Sequence, residues 1–213
     1  FRPRTVATHA IGRAQYAGYM THAVARAVSI LGHPMLVLPV VMLALATGRG
    51  RVGDALWMGA GFIVFAAVVM AYSKHQVRRG QWAHVDASNQ EERKSLNRFL
   101  LVALLVSAAL AAFTGMPREL ALGLGLSAAM VAMAMLTARW CKLSLHMAFV
   151  VFAVFLLYAV SWKAALFGLA FAAAVAWSRL RLQRHVVRDL VAGTCTGAVA
   201  GTAYLLASPG MAG

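Results

Sequence analysis

The sequence predicts an all-α protein, a polytopic bundle of six to seven transmembrane helices. Of its 213 residues, 62% are hydrophobic and only 12% are charged. A soluble globular domain is about 45 to 50% apolar. The apolar residues are also grouped in long runs that short polar segments separate. Together these two observations exclude a soluble enzyme.

The chain is strongly basic, with 20 Lys and Arg against 6 Asp and Glu and a net charge of +14. In a soluble protein this excess would suggest a nucleic-acid partner. Here the basic residues lie between apolar runs, so we expect a membrane partner and no nucleic acid. Cys141 and Cys195 form no C-x-x-C pair. We therefore expect no redox or zinc chemistry, no cofactor and no metal.

Seven apolar stretches approach the roughly 17 to 25 residues that a helix needs to cross a bilayer. They lie at 27–47, 55–73, 99–115, 119–138, 145–161, 164–178 and 189–207, and the sixth is short. Residues 27–213 are predicted to form a single transmembrane domain. The basic segment 1–26 before it is expected to be either an interfacial helix or a frayed tail. Its basic, polar start does not resemble a cleavable signal peptide.

If all seven stretches cross the membrane, the polar connections share one face of it. That face would hold the N-terminal segment together with 74–98, 139–144 and 179–188, and 16 of the 20 basic residues. The opposite face would hold only Arg49, Arg51, Arg118 and Lys163. By the positive-inside rule, the polar face is cytoplasmic. We expect a multi-pass protein of the bacterial inner membrane.

The last polar connection contains the pattern S-R-x5-H-x3-D, from Ser178 to Asp189. His185 and Asp189 are four residues apart and would share one face of a helix. The carboxylate can then hydrogen-bond one imidazole nitrogen and leave the other as a nucleophile. Arg179 would offer a planar fork of donors to phosphate oxygens. The alternative is an ordinary basic interfacial loop with a snorkelling histidine.

A second polar stretch, from Lys142 to His146, lies at the start of the fifth span. Its Ser144 hydroxyl and His146 imidazole could serve as a phosphate-oxygen donor and a proton donor. The alternative is that Ser144 is only a helix N-cap and His146 only an interhelical contact.

A third stretch extends from His84 to Lys94. Its Ser88-x-x-Glu91 pattern predicts a capped helix that begins near Asn89 and presents Arg93 inward. The alternative is a solvated loop.

In order and spacing, the three stretches resemble the motifs of the type 2 phosphatidic acid phosphatase (PAP2) superfamily, K-x6-R-P, P-S-G-H and S-R-x5-H-x3-D. The third motif is matched at every fixed position. Ser144 and His146 match the second motif, in which Leu143 and Leu145 replace its proline and glycine. The resemblance spans residues 80–190 and implies a PAP2-like helical core.

The first motif departs further from the family pattern than the other two motifs do. Arg93 keeps its place, while Asp86 stands for the lysine and Lys94 for the proline. A carboxylate cannot bind an anion as a lysine does. Either Lys142 or Lys94 supplies that charge, or Asp86 orients Arg93. This sequence looks most like small bacterial members with a D-x6-R form of the first motif and a K-x-S-x-H form of the second.

The resemblance implies a metal-independent hydrolysis of a lipid phosphate in two steps. His185 would attack phosphorus, Asp189 would support it, and His146 would protonate the leaving oxygen. The expected phosphate-binding residues are Arg93, Arg179, Ser144, Lys142 and Ser178, with Asp86 and Lys94 as supporting residues. Phosphatidate, phosphatidylglycerophosphate and polyprenyl phosphates or diphosphates all fit as substrates.

The competing hypothesis is a degenerate, non-catalytic membrane protein that binds anionic lipid or a partner. The oligomeric state stays open. Gly193, Gly197 and Gly201 recur every four residues along the last span, and we interpret this spacing as close helix packing.

Overall fold

The structure is a computed structural model that describes residues 20–85, 87 and 89–208, and it is almost entirely helical. The helices are α1 (Met20–Leu31), α2 (Pro34–Gly48), α3 (Val52–Arg78), α4 (Gln90–Phe113), α5 (Arg118–Leu136), α6 (Leu145–Tyr158), α7 (Trp162–Arg181) and α8 (Val187–Ala207). A 3₁₀ turn, Thr137–Arg139, follows α5. No strand occurs in the described residues. The all-α prediction is confirmed.

Five helices, α3, α4, α5, α7 and α8, are long and apolar enough to cross a membrane, and the α1–α2 pair makes six if it counts as one bent span. These helices agree with a multi-pass membrane protein. The short helix is α6, the fifth predicted span, rather than the sixth. Its 14 residues extend about 21 Å, less than a bilayer core of about 30 Å. The sixth predicted span, which was expected to be short, corresponds to α7, a helix of 20 residues.

The first predicted span, 27–47, is not one continuous helix. It breaks at Gly32 and His33, where α1 and α2 meet at a 55° bend. Pro34 explains the break, because it disfavours helical geometry at the preceding residue and lacks an N–H donor. His33 is accordingly extended and caps α2, accepting a hydrogen bond at Nδ1 from the Met35 amide at 3.2 Å. Of the predicted N-terminal segment 1–26, residues 20–26 belong to α1, and 1–19 lie outside the described residues.

The short helix α6 forms the centre of the bundle. It packs against α2, α5, α7 and α8, and Ala148, Phe152 and Leu156 are completely buried. By contrast, α3 and α4 lie at the periphery and expose large apolar side chains such as Trp57 and Phe113. A bilayer would solvate these outer side chains favourably.

The glycine stripe of α8 lies directly against α6. A Cβ atom at Gly193 would collide with the Ser144 carbonyl oxygen, and one at Gly197 with the Ala148 carbonyl oxygen. At Gly201 it would strike the ring of Phe155. Small residues thus let the two backbones approach closely, as the spacing predicted.

The connections between helices meet in two groups at opposite ends of the bundle. At one end, Arg49 and Arg51 approach the Glu119 carboxylate at 3.3 and 3.7 Å. At the other end, the Lys142 ammonium donates to the Arg184 carbonyl at 2.9 Å. The second group, called the polar end below, includes 79–85, 140–144 and 182–186. The described parts of these three polar connections therefore lie at one end of the bundle, while residues 1–19 of the N-terminal segment lie outside the described residues.

Candidate functional site

The centre of the candidate site is the contact between His185, before α8, and Asp189 in its first turn. The Nδ1 atom of His185 lies 3.3 Å from Oδ2 of Asp189 and 3.2 Å from the Lys142 carbonyl oxygen. Both neighbours are hydrogen-bond acceptors, so Nδ1 carries the proton. In the neutral imidazole the lone pair is then on Nε2. Both side chains are more than 90% buried.

Asp189 also joins the two polar connections that flank α6 and α7. Its Oδ1 accepts the Lys142 amide at 3.2 Å, and its Oδ2 accepts the Val186 amide at 3.4 Å. Its backbone carbonyl accepts the Ser144 amide at 3.1 Å. As the third residue of α8, the carboxylate is also favoured by the positive end of the helix dipole. One side chain thus fixes both His185 and the segment leading into α6.

A tight turn at the end of α7 brings His185 to this position. The Arg184 amide donates to the Arg179 carbonyl at 3.0 Å, and Gln183 between them has φ +53°. This is the Schellman pattern, in which glycine is usual at the left-handed residue. Gln183 tolerates a conformation that costs roughly 1 to 2 kcal/mol for an L-residue, and the chain reverses within a few residues.

The pKa of His185 is lowered to about 4 by burial first, then by the positive charges of Arg179 and Lys142, with Asp189 opposing the shift. The imidazole is therefore neutral at pH 7, as a nucleophile must be. The pKa of the Lys142 ammonium is also lowered, mainly by partial burial and then by Arg93. Lys142 thus lies within electrostatic range of the cations of Arg93, Arg179 and Arg184 and of the Asp189 carboxylate.

Arg179 connects the site to α1. Its Nη1 donates to the Ser29 hydroxyl at 2.8 Å, while its Nε is buried without a hydrogen-bond partner. A guanidinium with a buried, unused donor is suited to an incoming anion.

His146 lies in the first turn of α6, beside a residue that sequence reasoning missed. The rings of His33 and His146 are edge to face, with centroids 5.2 Å apart. His146 also lies within electrostatic range of Arg179 and His185. Ser29 and His33 both come from the broken first span. The histidine and proline inside an apolar run were the signal, because ionisable residues at membrane depth are functional candidates by default.

The two serines of the predicted site are completely buried and already hydrogen-bonded. Ser144 is the N-cap of α6, where its hydroxyl accepts from the Met147 amide at 3.5 Å. Ser178 donates its hydroxyl to the Val175 carbonyl at 2.9 Å. The N-cap alternative for Ser144 therefore describes its local structure.

The predicted cap of α4 is displaced by one residue. Asn89 is the N-cap, and its side chain and that of Glu92 form the reciprocal capping box, rather than Ser88 and Glu91. Glu92 is buried and also accepts the Ala83 amide at 2.8 Å, which ties the preceding loop to the helix. A helix, not a solvated loop, thus carries Arg93.

Of the two expected supporting residues, the structure describes only Lys94. Lys94 pairs with Glu91 on the surface at 2.7 Å, so it does not supply the missing motif charge. Asp86 and Ser88 lie outside the described residues. Within the part of the chain that the structure describes, no three His, Cys, Asp or Glu side chains are grouped as metal ligands.

The chain was also compared with family models, with curated proteins and with solved structures, and nothing matches in any of the three comparisons.

Proposed function

We propose that this protein is a membrane lipid phosphatase of the PAP2 type, which hydrolyses a lipid phosphate or diphosphate through a phosphohistidine. One observation carries the proposal. Nδ1 of His185 is held between two acceptors, and the ring is neutral at pH 7. A neutral imidazole fixed in this tautomer presents Nε2 as a nucleophile.

In the first step, Nε2 of His185 attacks phosphorus while the bond between phosphorus and the lipid oxygen breaks. His146, which enters this step as the protonated imidazolium, donates a proton to the departing oxygen. A lipid alcohol leaves, or a lipid monophosphate if the substrate is a diphosphate. Asp189 balances the positive charge that develops on the phosphorylated imidazole, as the carboxylate does for the imidazolium of a hydrolase triad.

In the second step, His146 accepts a proton from water, and the resulting hydroxide attacks phosphorus. The bond between phosphorus and Nε2 breaks, inorganic phosphate leaves, and His185 returns to its neutral form. Arg179, Lys142 and Arg93 stabilise the phosphoryl oxygens in both steps, where phosphoryl transfer gains most of its rate.

The substrate is proposed to be a lipid because the site is at the end of an apolar bundle. Its tail would stay in the bilayer while its phosphate reaches the polar end. The excess of Lys and Arg in the polar connections supports a cytoplasmic active site in a bacterial inner membrane.

Phosphate release by the purified protein in detergent with EDTA tests the activity. The substrates are phosphatidate, phosphatidylglycerophosphate and undecaprenyl diphosphate, assayed with wild type, His185→Ala and the control His75→Ala, a histidine of α3. We expect turnover that resists chelation, persists in H75A and disappears in H185A. No release from any of the three lipids, or equal release by H185A, would favour the non-catalytic lipid-binding alternative.

Cysteine accessibility in whole cells tests the orientation. In a background that lacks Cys141 and Cys195, single cysteines at positions 84, 184 and 163 are treated with a membrane-impermeant maleimide. We expect labelling of position 163 from the periplasm and protection of 84 and 184 until the cells are opened. Labelling of 84 and 184 in intact cells would reverse the proposed orientation.

A further inference from the structure

We propose that His33, at the break between α1 and α2, is a positioning residue that holds the imidazole of His146. The effect of His33 on catalysis rests on the proposed function, whereas the contact between the two rings can be measured without turnover. None of the three sequence motifs includes His33, which lies 113 residues before His146 in the chain.

The break that carries His33 is fixed in place by three contacts with α7. Gly32 lies so close to this helix that a Cβ would meet Val175 Cγ2 at 2.5 Å. Ser29, one turn earlier, accepts from the Arg179 guanidinium at 2.8 Å. Thr21, near the start of α1, approaches Arg181 at 3.5 Å. The backbone around His33 is therefore held to the same helix end that carries Arg179.

The His33 ring is itself oriented by its cap. Nδ1 accepts the Met35 amide, so in the neutral ring the proton must be on Nε2. This hydrogen bond fixes both the tautomer and the ring plane. The ring then meets His146 edge to face at 5.2 Å between centroids. This separation and angle match the edge-to-face geometry that ring pairs favour, so the contact stabilises the observed orientation of the His146 ring.

A proton donor must be held in the geometry of its reaction. Within the part of the chain that the structure describes, the His146 ring makes no hydrogen bond, whereas His185 is held by Asp189 and Lys142. The His146 ring is instead contacted edge to face by the ring of His33, which approaches it from α1 and α2. The charged and titratable groups that act on the pair are Arg179 from α7 and, on His146, His185.

Two substitutions separate positioning from capping. Asparagine is among the best N-cap residues, so His33→Asn keeps a cap for α2 and removes the ring, whereas His33→Ala removes both. His22→Asn, an exposed histidine on α1, is the matched control. If His33 positions His146, H33N lowers kcat by about 10-fold to 100-fold, as expected for a misplaced catalytic group. KM should stay within about twofold, and H22N should match wild type.

A second readout does not need turnover. In protein labelled with ¹⁵N-histidine, the ring signals of His146, assigned with His146→Gln, should shift in H33N and stay in place in H22N. Unshifted His146 signals in folded H33N would overturn the inference even if activity is lost. So would a wild-type kcat in H33N. If the wild type releases no phosphate from any lipid, the proposed function fails, and the ring signals alone decide whether His33 holds His146.

Discussion

Nδ1 of His185 lies 3.3 Å from Oδ2 of Asp189, and the same carboxylate receives the amide of Lys142 through its other oxygen. One acidic side chain therefore orients the imidazole and anchors the loop before α6. This double role explains how two connections that are more than 40 residues apart form a single site.

Replacing Asp189 with asparagine tests that role. The amide of Asp189→Asn can present its NH₂ group to Nδ1, which would favour the tautomer with the proton on Nε2 and remove the nucleophile's lone pair. We expect kcat for lipid phosphate hydrolysis to fall at least about 100-fold. The matched control is Asp54→Asn, which removes a partly exposed carboxylate paired with Arg51 at the opposite end. Activity of D189N within a few-fold of D54N would contradict the assignment.

The acid limb of the pH profile reports the state of His185. Because burial, Arg179 and Lys142 lower its pKa to about 4, kcat/KM should fall only as the pH approaches 4, well below the ordinary histidine value near 6.5. The free energy of unfolding should also fall as the pH is lowered in this range. Between pH 6.5 and 4 the unfolded chain binds more protons at His185 than the folded protein does, so the stability contributed by the neutral His185 is lost as the pH falls through that window.

Lys142→Met should move the acid limb to higher pH, because one of the cations that lowers the pKa of His185 is removed. Lys163→Met, at the opposite end, is the control. Profiles of kcat/KM against pH for the three proteins provide the measurement. An unchanged limb in K142M, or a limb near pH 6.5 in the wild type, would contradict the electrostatics of the site.

Arg179 should not be replaceable by lysine. A guanidinium can hold Ser29 with one nitrogen and a phosphate with the others, whereas an ammonium is a single point donor. For Arg179→Lys we expect kcat/KM to fall about 100-fold, the scale of losing one oxyanion donor. The control is Arg181→Lys, at an exposed residue of the same helix end, for which kcat/KM should change by less than about threefold. Equal losses in the two variants would argue against a specific phosphate contact.

The packing of α6 on α8 can be tested apart from the chemistry. Gly197→Ala places a methyl group against the Ala148 carbonyl, and overpacking of this kind costs about 1 to 3 kcal/mol. In Gly125→Ala the added Cβ on α5 has no neighbour within 4 Å. Because alanine has a higher helix propensity than glycine, the free energy of unfolding of G125A should be unchanged or about 1 kcal/mol higher. The midpoints of thermal unfolding of the two variants in detergent provide the comparison. A midpoint for G197A at or above that of G125A would be inconsistent with the close approach.

Local sequence patterns predicted the fold and part of the site. The spacing of four between His185 and Asp189 indicated their contact, but not as two residues of one helix, because His185 precedes the N-cap of α8 and only Asp189 lies in its first turn. The glycine spacing on α8 was a reliable signal because all three glycines lie on one helix. The cap of α4 was displaced by one residue because Ser88 and Asn89 are each followed by a glutamate at the third position, and sequence does not decide between two such overlapping boxes.

The contribution of the first span could not be predicted in this way. Its contacts join Ser29 to Arg179 and His33 to His146, which are far apart in sequence and follow no periodic pattern. A residue before proline is disfavoured in a helix, but the prediction of 27–47 as one span rested on apolar length alone and did not use Pro34. The length of α6 was overestimated because apolar composition alone does not distinguish a spanning helix from a buried core helix.

The most direct test of the phosphohistidine is to trap it. Purified protein is mixed with a ³²P-labelled form of the lipid that it hydrolyses, quenched in alkali within milliseconds and digested for mass spectrometry, beside His185→Ala and H146Q. We expect acid-labile, alkali-stable label on His185 and none in H185A. In H146Q both the appearance and the loss of the label should be slower than in the wild type, because His146 acts in both steps. Turnover without label on His185, or label on another residue, would contradict the account.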